Sequence, residues 1–176
     1  MKPTNIVLHG TTSAGKSSLA KALQAIAPVP AFHISLDAFV TMSNRRDMRN
    51  NEERDYAYRI HCENLRSALA NIAYSSFDII LDLVLRDEQE LNACLNVLAT
   101  RPTYLVRVWA PLEILEERER SREDRANGMA REQFGHPAYD RNYDLVINTA
   151  AVTPEQGAVA IRDFLDNLPK ATVGDA

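Results

Sequence analysis

The segment Gly10–Ser17 constrains this chain more than any other, because it matches G-x-x-x-x-G-K-[ST] at every fixed position. The apolar stretch Asn5–His9 precedes it, and an amphipathic pattern follows it. Two glycines let such a segment curl so that backbone N–H groups point inward, and the start of the next helix adds positive potential. A chance glycine-rich turn is the alternative, and its position between a strand and a helix disfavours it. The pattern therefore predicts a cradle for phosphate groups.

Specific roles within the cradle follow from phosphoryl-transfer chemistry. Lys16 is expected to bridge the β- and γ-phosphates of a nucleoside triphosphate, usually ATP, and so to be catalytic. The Ser17 hydroxyl is expected to ligate Mg²⁺. The residues expected to bind the nucleotide here are Gly10, Thr11, Thr12, Ser13, Ala14, Gly15, Lys16, Ser17 and Ser18.

Along the rest of the chain, apolar β-branched runs alternate with helical periodicities, which is typical of a parallel sheet with crossover helices. The first helix is expected to end near Ala27, and the last to begin behind Thr153 with a capping box. We expect one α/β domain over residues 1–169 and a frayed tail over 170–176. The predicted strands are Asn5–His9, Ala31–Ser35, Phe77–Asp82, Tyr104–Trp109 and Asp144–Asn148.

Composition excludes several classes of function. A net charge of −4 over 176 residues argues against general binding to nucleic acid or to anionic membranes. Cys62 and Cys94 lack metal-ligand spacing, so we interpret both as reduced core residues. No export signal or membrane span is evident, and a cytoplasmic location is the expectation. Whether the chain self-associates stays open.

Two aspartates follow predicted strands and are candidates for chemistry. Asp82 ends the apolar run Ile79–Leu81 and is a candidate second Mg²⁺ ligand, with a strand-terminating acid as the alternative. Asp37 follows the second strand, where the ligand crevice of an open α/β sheet lies. It could accept the proton of a substrate hydroxyl, or it could be the N-cap of a short helix over residues 38–42.

An arginine face is predicted late in the chain. Arg118, Arg122 and Arg125 fall at i, i+4 and i+7, within roughly 60° of one helical face that carries no acid. We expect a lid that closes over ATP, in which all three bind the nucleotide and Arg122 and Arg125 act in catalysis. A surface ion-pair helix is the alternative.

Three further features have no assigned role. The polar segment Ser43–Arg54 is the best candidate for a mobile loop. His61 falls on an apolar helical stripe, so a partly buried structural histidine is the default interpretation. His136 precedes Pro137 in a loop and is equally ambiguous.

Taken together, these residues resemble the chloramphenicol phosphotransferase-like family over roughly residues 5–165. The resemblance rests on the phosphate loop, Leu36-Asp37, His61, Ile79–Asp82, Ala110–Glu113, Asp124-Arg125, Gly128–Ala130, His136 and Tyr143–Leu145. It implies a P-loop kinase fold of three layers, with a five-stranded, mostly parallel sheet flanked by helices and an arginine-rich lid. It also implies that Asp37 activates the substrate hydroxyl, and it suggests a role in antibiotic resistance. Leu83 stands where chloramphenicol-phosphorylating members have a second acid.

The leading hypothesis is an ATP- and Mg²⁺-dependent phosphotransferase whose partner is a small hydroxylated acceptor. One alternative is a nucleotide or sugar-nucleotide kinase in which Arg45, Arg46 and Arg49 hold a phosphorylated acceptor. The other is a regulatory NTPase that uses no small acceptor. Acceptor-stimulated release of ADP separates the last from the first two.

Overall fold

A five-stranded parallel sheet organises the protein, and its strand order, β2-β3-β1-β4-β5, brings β1 to the centre. The computed structural model describes residues 3–84, 87–121 and 128–169. All five predicted strands begin and end within one residue of the observed ones, and β1 and β2 match at both ends. The strands are β1 (Asn5–His9), β2 (Ala31–Ser35), β3 (Asp78–Leu83), β4 (Thr103–Trp109) and β5 (Leu145–Asn148).

Helices cover both faces of the sheet. In β1, Ile6 and Leu8 face one apolar cluster and Val7 faces the other, as the period of two in a strand requires. Helices α1, α5 and α7 contribute to the first cluster, and α3 and α4 contribute to the second. The helices are α1 (Lys16–Ala25), α2 (Leu36–Val40), α3 (Asn51–Ile72), α4 (Glu88–Leu98), α5 (Leu112–Arg120), α6 (Met129–Gln133) and α7 (Pro154–Asp166).

Local capping chemistry explains where several helices begin. Thr153 accepts a hydrogen bond from the backbone N–H of Gln156 and the Gln156 side chain accepts one in return, which confirms the capping box. At α3, the Asn50 side chain accepts from the N–H of Glu53. Because this cap starts the helix at Asn51, Arg54 belongs to the first turns of α3. The prediction of a loop reaching Arg54 is therefore wrong at its end.

The two cysteines are buried and reduced, in agreement with their interpretation as core residues. Burial raises the pKa of the Cys94 thiol to about 12, so this side chain stays protonated at neutral pH. Over the described ranges, none of the helices combines the length and the apolar character needed to cross a membrane.

Candidate active site

The phosphate loop connects β1 to α1 through backbone conformations that its sequence provides. Gly15 has φ +86°, and Ser13 adopts φ 60°, which is sparsely populated for a residue with a side chain. A Cβ on Gly10 would lie 2.0 Å from the carbonyl oxygen of Val108, so only glycine lets β1 leave the sheet this close to β4. The two glycines of the motif are therefore required for different reasons.

Side chains from α5 and from the residue after β5 hold the loop from outside. The Thr149 hydroxyl donates to the carbonyl of Ala14 at 2.9 Å, and the Arg118 guanidinium lies 3.5 Å from the carbonyl of Ser13. Arg118 also donates to the hydroxyl and the carbonyl of Thr149, at 2.9 and 2.8 Å. Two buried hydroxyls of the loop, on Thr11 and Ser13, have no hydrogen-bond partner within the described residues. Hydroxyl donors without partners fit a loop that receives phosphate oxygens.

Lys16, Ser17 and Asp82 meet at the inner end of the loop, although residue 82 comes from β3. The buried Lys16 ammonium donates to the carbonyl of Thr11 at 2.8 Å, so it curls back over the loop. The Ser17 hydroxyl donates to Asp82 Oδ2 at 2.6 Å. The structure thus brings together the predicted hydroxyl and carboxylate. Their oxygen donors fit a hard cation such as Mg²⁺.

Asp82 is held as a carboxylate. Burial raises the pKa of its side chain. His33, Lys16 and Ser17 lower this pKa by more than burial raises it, and His33 Nε2 lies 3.8 Å from Asp82 Oδ2. The balance places the pKa of Asp82 below its ordinary value. An ionised carboxylate beside a hydroxyl can accept a cation without first losing a proton.

A second concavity opens between α2 and α3, and Asp37 lines it. The cleft has a volume of about 650 Å³ and receives side chains from α2, α3, α6 and the end of β3. Ser35, and not Asp37, is the N-cap of α2, since its side chain accepts from the N–H of Ala38 at 3.2 Å. The alternative interpretation of Asp37 as the N-cap is therefore wrong.

Gln133 joins the cleft to the phosphate loop. Its buried side chain lines the cleft, and its Oε1 accepts from the backbone N–H of Thr12 at 2.7 Å. Gln133 of α6 is thus a wall that the phosphate loop and the cleft of Asp37 share. Sequence analysis missed this residue, because Gln133 and Thr12 are 121 positions apart.

The predicted arginine face is only partly described. Helix α5 ends at Arg120 with Ser121 as its C-cap, before the second arginine of the face, and Arg122 and Arg125 lie outside the described residues. Arg118 lies beside the phosphate loop, where its guanidinium contacts Thr149 and Ser13.

Glu119 fixes the start of α6. The carboxylate of this buried residue accepts from the N–H of Gly128 at 2.7 Å and from the N–H of Ala130 at 2.9 Å. Gly128, with φ +98°, supplies the turn into α6. These contacts position α6, and with it Gln133, against the phosphate loop.

The two histidines without an assigned role differ. His61 is buried in α3, lines the cleft, and pairs through Nε2 with the hydroxyl of Ser43 at 2.8 Å. Its environment fits the structural interpretation in part, and its position also faces the cleft. His136 accepts from the N–H of Ala138 at 3.2 Å and begins a 3₁₀ turn, which is a local structural role.

Strand order, phosphate loop and flanking helices together define the P-loop kinase class. The chain belongs to the chloramphenicol phosphotransferase-like protein family, which it matches over residues 4–166. No curated protein matches it.

Solved structures with this fold share little sequence with the chain. A putative kinase from Chloroflexus aurantiacus has a TM-score of 0.71 at 20% identity, covering 94% of this chain and 98% of that one. The APS kinase of Mycobacterium tuberculosis, in complex with AMPPNP and APS, has a TM-score of 0.68 at 16% identity, with coverages of 94% and 98%. Shikimate kinase from Acinetobacter baumannii, in complex with shikimate, has a TM-score of 0.68 at 15% identity, covering 95% of this chain and 96% of that one. At these identities the likeness concerns the fold alone.

Proposed function

We propose that this protein transfers the γ-phosphoryl group of ATP to a hydroxyl of a small molecule. The observation that carries the proposal is the shared wall: Gln133 bonds the phosphate loop and lines the cleft that holds Asp37. A phosphoryl donor in the loop and a hydroxyl in the cleft would then be neighbours, which the reaction needs. The family and its P-loop kinase relatives in fold support the same class of reaction.

Each residue has one task in this scheme. Asp37 accepts the proton of the acceptor hydroxyl as the hydroxyl oxygen forms its bond to the γ-phosphorus. The bond from that phosphorus to the β–γ bridging oxygen breaks, and ADP leaves. Lys16 balances the negative charge on the β- and γ-phosphates, and the loop orients them. When Mg²⁺ is bound by Ser17 and Asp82, it supplies further positive charge to the phosphates.

The proposed role of the lid rests on Arg122 and Arg125, which are outside the described residues. The alternative of a phosphorylated acceptor held by Arg45, Arg46 and Arg49 has less support from Arg46 and Arg49, and the side chain of Arg45 is outside the described ones. Arg46 pairs with Asp47 and Arg49 pairs with Glu53, and both arginine side chains are more than four-fifths exposed, at 82% and 85%. Neither arginine lines the cleft.

The test is acceptor-stimulated release of ADP, measured across hydroxylated antibiotics, sugars, nucleosides and hydroxy acids. The proposal expects at least one acceptor to raise the rate and to appear as its phosphate ester. Asp47→Asn serves as the matched control for Asp37→Asn, because this exposed aspartate lies near the cleft without lining it. An ATP turnover that no acceptor changes would favour a regulatory NTPase.

A further inference from the structure

The cleft contains an arginine, Arg54, whose surroundings indicate what kind of acceptor it receives. We propose that the acceptor is a hydroxy acid, and that Arg54 binds its carboxylate while Asp37 faces its hydroxyl. This inference rests on the proposed function, because it names the substrate class of the same site. It assigns a specificity role to a residue whose position on α3 the sequence alone did not reveal.

The inner face of α3 changes character along its length. Leu65 and Leu69 are fully buried in the core, and the same helical face continues toward the N-terminus through His61, Tyr58 and Arg54 at i, i+4 and i+7 spacings. These last three residues all line the cleft. A stripe that is apolar against the sheet and polar against a cavity is expected of a helix that supports the fold and also binds a polar ligand.

Arg54 differs from Arg46 and Arg49, which precede it in the chain. The side chains of Arg46 and Arg49 are paired with Asp47 and Glu53. The one hydrogen bond of the Arg54 guanidinium within the described residues runs from Nη1 to Asn51 Oδ1 at 3.2 Å, and its Nε–H is buried without a partner. Leaving a buried donor without an acceptor has a free-energy cost. A ligand carboxylate that accepts from this guanidinium would remove that cost.

The other charges of the cleft limit what the ligand can be. Asp37 and Asp55 both line it, and Arg54 is the one arginine or lysine among the described residues that do. One guanidinium beside two carboxylates favours a monoanionic group over a dianionic phosphate. Repulsion from Asp37 also requires the carboxylate and the reacting hydroxyl to be at different ends of the acceptor.

Size and polarity agree with such a molecule. The volume of about 650 Å³ lies within the roughly 300–1,000 Å³ that is usual for small-molecule sites. His61 Nδ1 is a second buried polar atom of the cleft without a partner in the described residues, since Ser43 engages Nε2. It offers a further hydrogen bond to a hydroxylated ligand.

The first experiment observes the Arg54 side chain directly. In the full chain with Mg²⁺ and a non-hydrolysable ATP analogue added, the Nε–H resonance of Arg54 is followed by NMR. The resonance is assigned by its absence from the spectrum of Arg54→Lys. This variant keeps the positive charge and can be used even if Arg54→Gln fails to fold. Acetate and benzoate should shift this resonance in a saturable manner, and acetamide and benzamide should not. The Nε–H of Arg66, which pairs with Glu90, should stay unmoved by all four.

Two results of this titration would overturn the inference. One is an unmoved Arg54 resonance, and the other is an equal response to the acids and to their amides. A stronger response to a phosphate monoester than to either carboxylate would contradict the choice of a carboxylate.

The second experiment is kinetic and separates this inference from the proposed function. Acceptor-stimulated ADP release is compared for hydroxy acids and their neutral esters or amides, with shikimate and gluconate among the acids. The acids should be preferred, and Arg54→Gln should raise their KM by roughly 10- to 100-fold while kcat changes little, since a charge-assisted hydrogen bond is lost. Arg46→Gln, at an exposed and paired arginine, should leave KM unchanged.

The outcomes distinguish the two claims. Turnover of neutral acceptors that depends on Asp37 but not on Arg54 would overturn the hydroxy-acid inference and leave the kinase function standing. A carboxylate response at Arg54 with no acceptor-stimulated turnover would uphold the acidic ligand and remove the kinase function.

Discussion

The phosphate loop and the cleft that Asp37 lines share Gln133 as a wall, and they are assembled in different ways. The loop is one segment, Gly10–Ser17, completed by Asp82 from the neighbouring strand. The cleft takes its side chains from α2, α3, α6 and the end of β3. A site built from one segment has its chemistry fixed by local pattern, whereas a site built from several elements can change its ligand through single side chains. The comparison predicts that loop variants affect every use of ATP, whereas cleft variants affect only acceptor-dependent turnover.

The largest effect is expected at the loop, from Lys16→Ala. Transfer should be abolished, because the Lys16 ammonium is held over the loop, where it would balance the charge on the β- and γ-phosphates. Basal ATP turnover should fall with it, whatever acceptor is present. The measurement is ADP release with and without acceptor, and Lys21→Ala, at an exposed lysine further along α1, is the control. Near-normal turnover would remove the loop from the mechanism.

The proposed lid comes next. Neutralising Arg122 and Arg125 together should lower kcat by roughly a hundredfold or more, as removal of transition-state charge stabilisation does, with a smaller change in the Kd for ATP. Single-turnover rates measure the effect on the chemical step, and nucleotide titration measures the Kd for ATP. Equal changes in both would mean that these arginines bind ground-state phosphate only, and no change in either would indicate a surface ion-pair helix.

Gln133 tests the boundary between the two regions. Gln133→Ala leaves the Thr12 N–H without its acceptor and should destabilise the protein by roughly 1–3 kcal/mol. Gln133→Glu keeps an acceptor but adds negative charge beside the phosphate site, so it should weaken ATP binding more than it lowers stability. Chemical denaturation of both variants measures their stability, and nucleotide titration measures their affinity for ATP. Gln89→Ala on the exposed surface of α4 is the control, and identical behaviour of the two variants would argue against a wall role.

The smallest effect is expected at Ser35, the cap of α2. Ser35→Ala should reduce the free energy of unfolding by about 1 kcal/mol, because the N–H of Ala38 loses its acceptor. Ser35→Asp should restore most of it, since aspartate caps equally well. A loss of stability in Asp37→Ala that exceeds the loss in Ser35→Ala would show that the capping assignment is wrong.

Local patterns explain what could be predicted from the sequence. The phosphate loop and the capping box at Thr153 depend on residues a few positions apart, and the strands depend on short apolar runs. Position at strand ends was enough to select Asp82 and Asp37, because all five strands are parallel and their carboxyl ends share one edge.

Long-range contacts explain what could not be predicted. Gln133 and Thr12 are far apart in the sequence, as are Arg118 and Thr149, and each pair meets only because the chain is folded. The start of α3 was missed because the Asn50 cap follows a polar run that reads as loop. Continuing the stripe of His61 and Leu65 backward by one and two turns would have found Tyr58 and Arg54.

The proton acceptor is the central claim, and Asp37→Asn tests it most directly. Asparagine keeps the size of the side chain and removes the carboxylate that would take the hydroxyl proton. Acceptor-dependent kcat should fall by roughly 10²–10⁴, with ATP affinity and the thermal midpoint nearly unchanged. An Asn variant of normal acceptor-dependent activity would contradict the account.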